Sequence, residues 1–233
     1  GVNGVALVNP DELILSHYRL LQDAQIQEEQ RLAELIGCDA RTLDGVAIKL
    51  LANIESPNDI ARLHTIGADG VGLFRSEYLF MNRKDSPDES EQFNFYKAAV
   101  AAMNGKPVTI RTLDIGADKE LSTDDYETSV NPALGLRAVR YCLANPSMFV
   151  TQIRAILRAS HYGSAKLLIP MISGVEQLQQ TLHLIEQARV QLREEKIPFD
   201  AALPIGIMVE IPSAALILNA LLPLIDFVSI GTN

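Results

Sequence analysis

Six short apolar runs, separated by segments of helical character, occupy the chain from about residue 45 onward, and nothing else in the sequence restricts its fold as strongly. They lie near Val46–Asn53, Gly70–Phe74, Pro107–Leu113, Lys166–Ile172, Ile205–Glu210 and Asp226–Ile230. Runs that stay apolar instead of alternating suit parallel strands covered on both faces. Between them, Pro57–Ile66, Glu89–Met103, Leu134–Leu143, Ser147–Ser160, Gly174–Glu195 and Ser213–Leu222 are amphipathic or bounded by Ser, Asn, Gly or Pro, and are predicted to be helices. Strand and helix in turn predict an α/β fold, either a (β/α) barrel or an open doubly wound sheet. No internal period of roughly 20–50 residues recurs, so a solenoid is not indicated.

The first 40 residues read differently. A short apolar run, Val5 to Val8, leads into Asn9-Pro10-Asp11-Glu12, where Asn9 can cap, Pro10 fits a first helical position and Glu12 completes a capping box. A helix over 11–37 is predicted, stopped by Gly37, about 27 residues and about 40 Å long. Its middle, Asp23 to Arg31, is polar around most of the circumference, which suits a linker crossing solvent between domains. With 48% apolar residues in 233, the remainder can bury one large core. Twenty Lys and Arg against 29 Asp and Glu give a net charge of −9, which makes nucleic acid a poor partner. No apolar run approaches the roughly 20 residues that span a bilayer, and Gly1 to Pro10 lacks a basic flank, so no membrane insertion and a cytoplasmic location are expected. Cys38 and Cys142 stand alone, outside any metal-binding spacing, and are expected to be packed thiols.

The chemistry lies at the strand ends. In parallel α/β folds a charged residue at the carboxyl end of a buried strand faces the ligand site. Val71-Gly72-Leu73-Phe74 is followed by Arg75 and then Glu77. Val108-Thr109-Ile110 is followed by Arg111 and then Asp114. The run Ile205 to Val209 ends in Glu210, and Phe227 to Ile230 leads through Gly231 and Thr232 into Asn233. Two guanidinium forks can hold both ends of a small dianion, and a carboxylate supplies a hard oxygen for magnesium. Strand-capping ion pairs are the plainer alternative, but three such residues at equivalent positions favour a ligand site. Gly70, Gly72, Gly116 and Gly231 next to these ends allow close backbone approach or positive φ.

The segment Gly67-Ala-Asp-Gly-Val-Gly-Leu-Phe-Arg-Ser-Glu-Tyr-Leu-Phe-Met81 resembles the signature of the phosphoenolpyruvate (PEP)-utilising enzymes, in their enzyme I form. Arg111-Thr-Leu-Asp-Ile-Gly-Ala-Asp-Lys119, Asn131-Pro-Ala-Leu-Gly-Leu-Arg137, Ile169-Pro-Met-Ile172, Gly206-Ile-Met-Val-Glu210 and Ser229-Ile-Gly-Thr-Asn233 follow in the family's order. Pyruvate phosphate dikinase and PEP synthase share the barrel, and their wording is less close. The resemblance implies a (β/α)8 TIM-type barrel, here incomplete at about six βα units over 38–233, with 1–10 as the tail of a swivelling phosphohistidine domain. It implies that Arg75, Arg111 and Asn233 contact PEP, that Arg137 is a further phosphate contact, and that Glu210 binds Mg2+.

The reaction so implied moves the phosphoryl group of PEP to a histidine on the separate domain and on to the carrier HPr in sugar uptake, the whole protein being a homodimer. In the family, Ser-Ile-Gly-Thr-Asn runs on into an Asp metal ligand, a further Arg and an acidic Cys. This sequence stops at Asn233, and none of its cysteines or histidines matches a family motif, so no catalytic residue is assigned within it. No phosphotransfer by this fragment alone is expected, and its open strand edges are expected to be covered by self-association, rearrangement or the linker helix. A non-catalytic barrel that senses a metabolite is the alternative from another class.

Overall fold

A computed structural model describes residues 7–81, 83, 85–115 and 135–231. The chain divides into two compact units, Gly1–Ile48 and Lys49–Asn233.

The first unit is built on helix α1, Glu12–Ala33. Asp11, not Asn9, is its cap: the Asp11 carboxylate accepts the Ile14 N–H at 2.8 Å, while Asn9 takes a positive φ of 49°. An aspartate one residue from the helix accepts a free N–H and places charge at the positive end of the macrodipole. The helix ends four residues short of Gly37, and at 22 residues is about 33 Å long. None of its residues is buried, as its polar circumference requires. Residues 40–48 then turn back on themselves, with an antiparallel bridge between Arg41 and Ala47. Residues 46–50, expected to open the first strand, belong instead to this turn and its exit.

The second unit holds strands β1 (Leu51–Ile54), β2 (Gly70–Arg75), β3 (Val108–Arg111), β4 (Ala165–Ile169), β5 (Ile205–Val209) and β6 (Phe227–Ile230). All neighbours are parallel and the order is sequential, β1 to β6, without rearrangement. Helices α2 (Ile60–Thr65), α3 (Glu89–Ala102), α4 (Val139–Ala144), α5 (Pro146–Ser160), α6 (Val175–Glu194), α7 (Pro212–Leu216) and α8 (Leu218–Leu221) lie between strands in sequence. The sheet curls: residues of β1 and of β6 line one concavity, so the six βα units form an incomplete α/β barrel. Among the described residues β1 and β6 each pair on one side only.

The core sits between the convex face of the sheet and the helices. Val71, Phe74, Val108, Ile110, Leu167 and Ile207 are fully buried, as are Tyr96 of α3, Ile153 and Ile156 of α5 and Leu192 of α6. Phe74 stacks on Phe95 and meets Tyr96 edge to face. Gly70 and Gly72 serve close approach rather than positive φ; a Cβ on Gly72 would stand 2.9 Å from that of Leu51. Two helix expectations change. The stretch predicted from Leu134 becomes helical only at Val139 among the described residues, and Ser213–Leu222 breaks at Ile217 into two short helices.

Candidate functional site

Alternation in a strand sends every second side chain to the concave face. On β3 these are Thr109 and Arg111; on β5, Met208 and then Glu210 just past its end; on β2, Arg75. Together with Asn53, Lys166 and Ser229 they line an open cavity of about 680 Å³. Arg75 and Arg111 are aligned neighbours in the β2–β3 register. Three of the side chains singled out in the sequence therefore face one hollow. Arg137 does not line it but reaches the same charge cluster through Asp114, while Asn233 lies outside the described residues.

The two arginines are held differently. Arg75 donates to Glu55 at 2.7 Å, with both side chains around half exposed, an arrangement worth about 0–1 kcal/mol and readily exchanged for a stronger anion. Arg111 is 12% exposed and lies between two carboxylates, Glu77 at 3.0 Å and Asp114 at 2.9 Å. Asp114 also accepts from Arg137 at 3.2 Å, and Glu77 accepts the Asp114 N–H at 3.0 Å. The ion pairs considered as the plainer alternative thus exist, and they coexist with the shared cavity. Arg111 Nε and Glu77 Oε2 are buried without a hydrogen-bond partner among the described residues. Such orphaned groups in a charged cluster are costly unless something else satisfies them.

Glu210 accepts the Met171 N–H at 2.7 Å through Oε1. Met171 takes a left-handed φ of 59°, an uncommon conformation for a long side chain, which turns its amide toward this carboxylate. Burial raises the pKa of the Glu210 carboxyl; the Met171 amide opposes the rise, the Asp114 charge adds to it, and Arg111 and Arg137 lower it. A divalent cation would relieve that burial penalty. A single carboxylate on an open cavity fits magnesium, which takes few protein oxygens and completes its shell with phosphate and water. Among the described residues no cluster of three or more His, Cys, Asp or Glu side chains could hold a metal on its own.

Glu55 and Lys166 were not picked out from sequence. Lys166 was legible in principle, as a charged residue at the start of an apolar run; on the concave face its ammonium lies 5.3 Å from the Phe227 ring. Glu55 directly follows β1, the same strand-end signal as Glu210; what the sequence does not show is its pairing with Arg75 across β1 and β2. Cys142 is buried, as expected, and its thiol is pushed up to about 12 by burial and then by the Asp114 charge. Cys38 is exposed, contrary to the expectation of a packed thiol, because nothing in the first unit is thick enough to bury it.

Comparison with known families matches residues 29–233 to the PEP-binding domain of PEP-utilising enzymes. Curated relatives align along the whole chain: a phosphoenolpyruvate-protein phosphotransferase of Cupriavidus necator at 51% identity, one of Staphylococcus carnosus at 41%, and one of Priestia megaterium at 40%. The chain spans 40–41% of the length of these proteins. Among the described residues no helix is long and apolar enough to cross a membrane.

Proposed function

The chain belongs to the PEP-utilising enzymes, through their PEP-binding domain, and from that premise we propose that it is the PEP-binding part of a phosphoenolpyruvate-protein phosphotransferase. The observation that carries the reading is the convergence of Arg75, Arg111 and Glu210 on one cavity. In this reading the guanidinium groups of Arg75 and Arg111 grip the phosphate and carboxylate of PEP, with Arg137 as a further phosphate contact and Asn233 a further substrate contact. Glu210 is one oxygen ligand of Mg2+, which when bound neutralises charge on the phosphoryl oxygens.

The arginines act by spreading charge in a loose phosphoryl-transfer transition state. The P–O bond to the enol oxygen breaks, a bond from phosphorus to an imidazole nitrogen forms, and the enolate left behind takes a proton to become pyruvate. No residue of this chain is assigned as the accepting histidine or the proton donor. Residues 11–37 are proposed as the linker toward the histidine-bearing domain, with 1–10 as that domain's tail. Relay to HPr in sugar uptake, a homodimer and a cytoplasmic setting extend the proposal from the likeness to phosphotransferases, not from this chain's own geometry.

Isothermal titration of the chain with PEP tests the reading. PEP should bind, more tightly with magnesium present, and Arg75→Ala should weaken binding by about 10- to 100-fold, the worth of one charge-assisted contact. Arg75 is the better probe, since removing Arg111 would strip Glu77 of its cation and leave Asp114 with Arg137 alone. Binding that is indifferent to magnesium and to the choice of phosphorylated ligand would instead favour a metabolite-sensing barrel.

A further inference from the structure

Gln152, on α5, is 1% exposed and does not line the cavity, yet it touches both of the turns that carry the cavity's charges. Its Oε1 accepts the Leu113 N–H at 3.0 Å, while Nε2 donates to Ser76 Oγ at 3.1 Å and to Tyr96 Oη at 3.0 Å. Ser76 stands between Arg75 and Glu77, and Leu113 stands next to Asp114 and two residues after Arg111. The backbone donor fixes the amide orientation: a flipped amide would set N–H against N–H at Leu113. Both amide protons and one carbonyl lone pair are thereby used, at a place where Ser76 and Tyr96 are fully buried. Burial also raises the Tyr96 pKa, which keeps its hydroxyl protonated.

We infer that Gln152 is a positioning residue, which sets the separation of Arg75 and Arg111 by clamping the turn after β2 to the turn after β3. The inference rests on the PEP-binding reading above. Packing alone does not call for this side chain, because a methionine fills the same volume. A methionine would leave the Leu113 N–H without an acceptor and free Ser76 from Leu113. On the cavity side the two turns are joined through Glu77 Oε1, which accepts from the Asp114 N–H and from Arg111, so losing the amide leaves them joined through the cavity's own charges. A guanidinium pair must match its dianion closely, since paired charge-assisted hydrogen bonds depend on distance and alignment, and in positioned reactions a misplacement of about 1 Å costs up to about 100-fold in rate.

The test compares Gln152→Met, Ser76→Ala and the control Ile156→Val, a buried change one turn along the same helix with no polar contact. Gln152→Met should weaken PEP binding at least about 10-fold and Ser76→Ala should weaken it to a lesser degree, with Ile156→Val matching the parent however much it lowers the melting temperature. In parallel, 15N spectra should show the Asp114 amide and the Arg111 Nε–H shifted in Gln152→Met and unmoved in Ile156→Val. Equal PEP affinity in parent and Gln152→Met, or an affinity loss that follows melting temperature across all three variants, overturns the inference. If the parent itself binds no PEP, the functional reading fails, and unmoved Asp114 and Arg111 resonances would separately overturn the clamp. If Gln152→Met does not fold, Ser76→Ala decides by the same two measurements.

Discussion

Glu210 shows at the scale of one residue what a half-buried carboxylate lining the cavity costs in stability. Burial raises its pKa above the ordinary 4.5. The folded state therefore holds the proton more readily than the unfolded one. Below the unfolded value the penalty is absent; as pH rises through the folded value it is felt in full. Glu210→Gln, which can still accept from Met171, is accordingly expected to melt above the parent at neutral pH in the presence of a chelator. The difference should close on acidification below the unfolded value, and the same variant should lose the strengthening of PEP binding by magnesium. A melting series from acid to neutral pH checks the sign. The cysteines give a second contrast at this scale. Exposed Cys38 should react with a thiol reagent in the native chain, whereas Cys142, whose thiolate is disfavoured by burial and by Asp114, should react only on unfolding. Mass spectrometry of the labelled chain distinguishes one adduct from two.

At the scale of the elements, β2 is pressed close to its neighbours. A Cβ on Gly70 would lie 2.6 Å from the Pro107 carbonyl oxygen, the same oxygen that accepts the Val71 N–H at 2.7 Å. Because the obstacle is backbone, it cannot swing aside as a side-chain tip would. Gly70→Ala is therefore expected to destabilise the second unit by about 1–3 kcal/mol, through a displaced β2–β3 ladder. Since Arg75 and Arg111 are carried by those two strands, the variant should lose PEP affinity as well. Urea unfolding together with titration measures both. The outer helices show a different kind of packing: Arg154 of α5 is 11% exposed and spans Glu89 of α3 and Glu195 just after α6, each at 2.6 Å. That ion-pair bridge ties three helices over the sheet without touching the cavity.

For the molecule as a whole, the two units differ in what holds them. Every buried residue of the core belongs to the second unit, from Ile54 onward, and no described residue of the first unit is buried. A chain beginning at Lys49 is therefore expected to fold cooperatively, with a melting midpoint within about 3 °C of the parent, the shift a sub-kcal/mol change would cause. It should also keep PEP binding, since every residue lining the cavity lies beyond position 49. Calorimetry and titration of the shortened chain would show a lost transition or lost affinity if the first unit were needed.

Much of this was carried by residue type and order. The six apolar runs indicated parallel strands, and coverage on both faces holds best for β3 and β4, whereas β1 and β6 at the two ends of the sheet are partly exposed. The charges following Phe74, Ile110 and Val209 pointed to one shared cavity, because a charge at the end of a buried strand is driven toward the mouth of the fold. The polar run from Asp23 to Arg31 likewise foretold a helix without a buried face. Pairing across the sheet was not legible. That Glu55 meets Arg75, that Arg111 meets Glu77, and that Gln152 reaches both turns from the opposite layer depend on distances between segments far apart in sequence. Local propensity and periodicity are properties of neighbours along the chain. Ion pairs and buried amide contacts are fixed only when strand register and helix docking bring remote positions together, and that the tertiary structure alone decided.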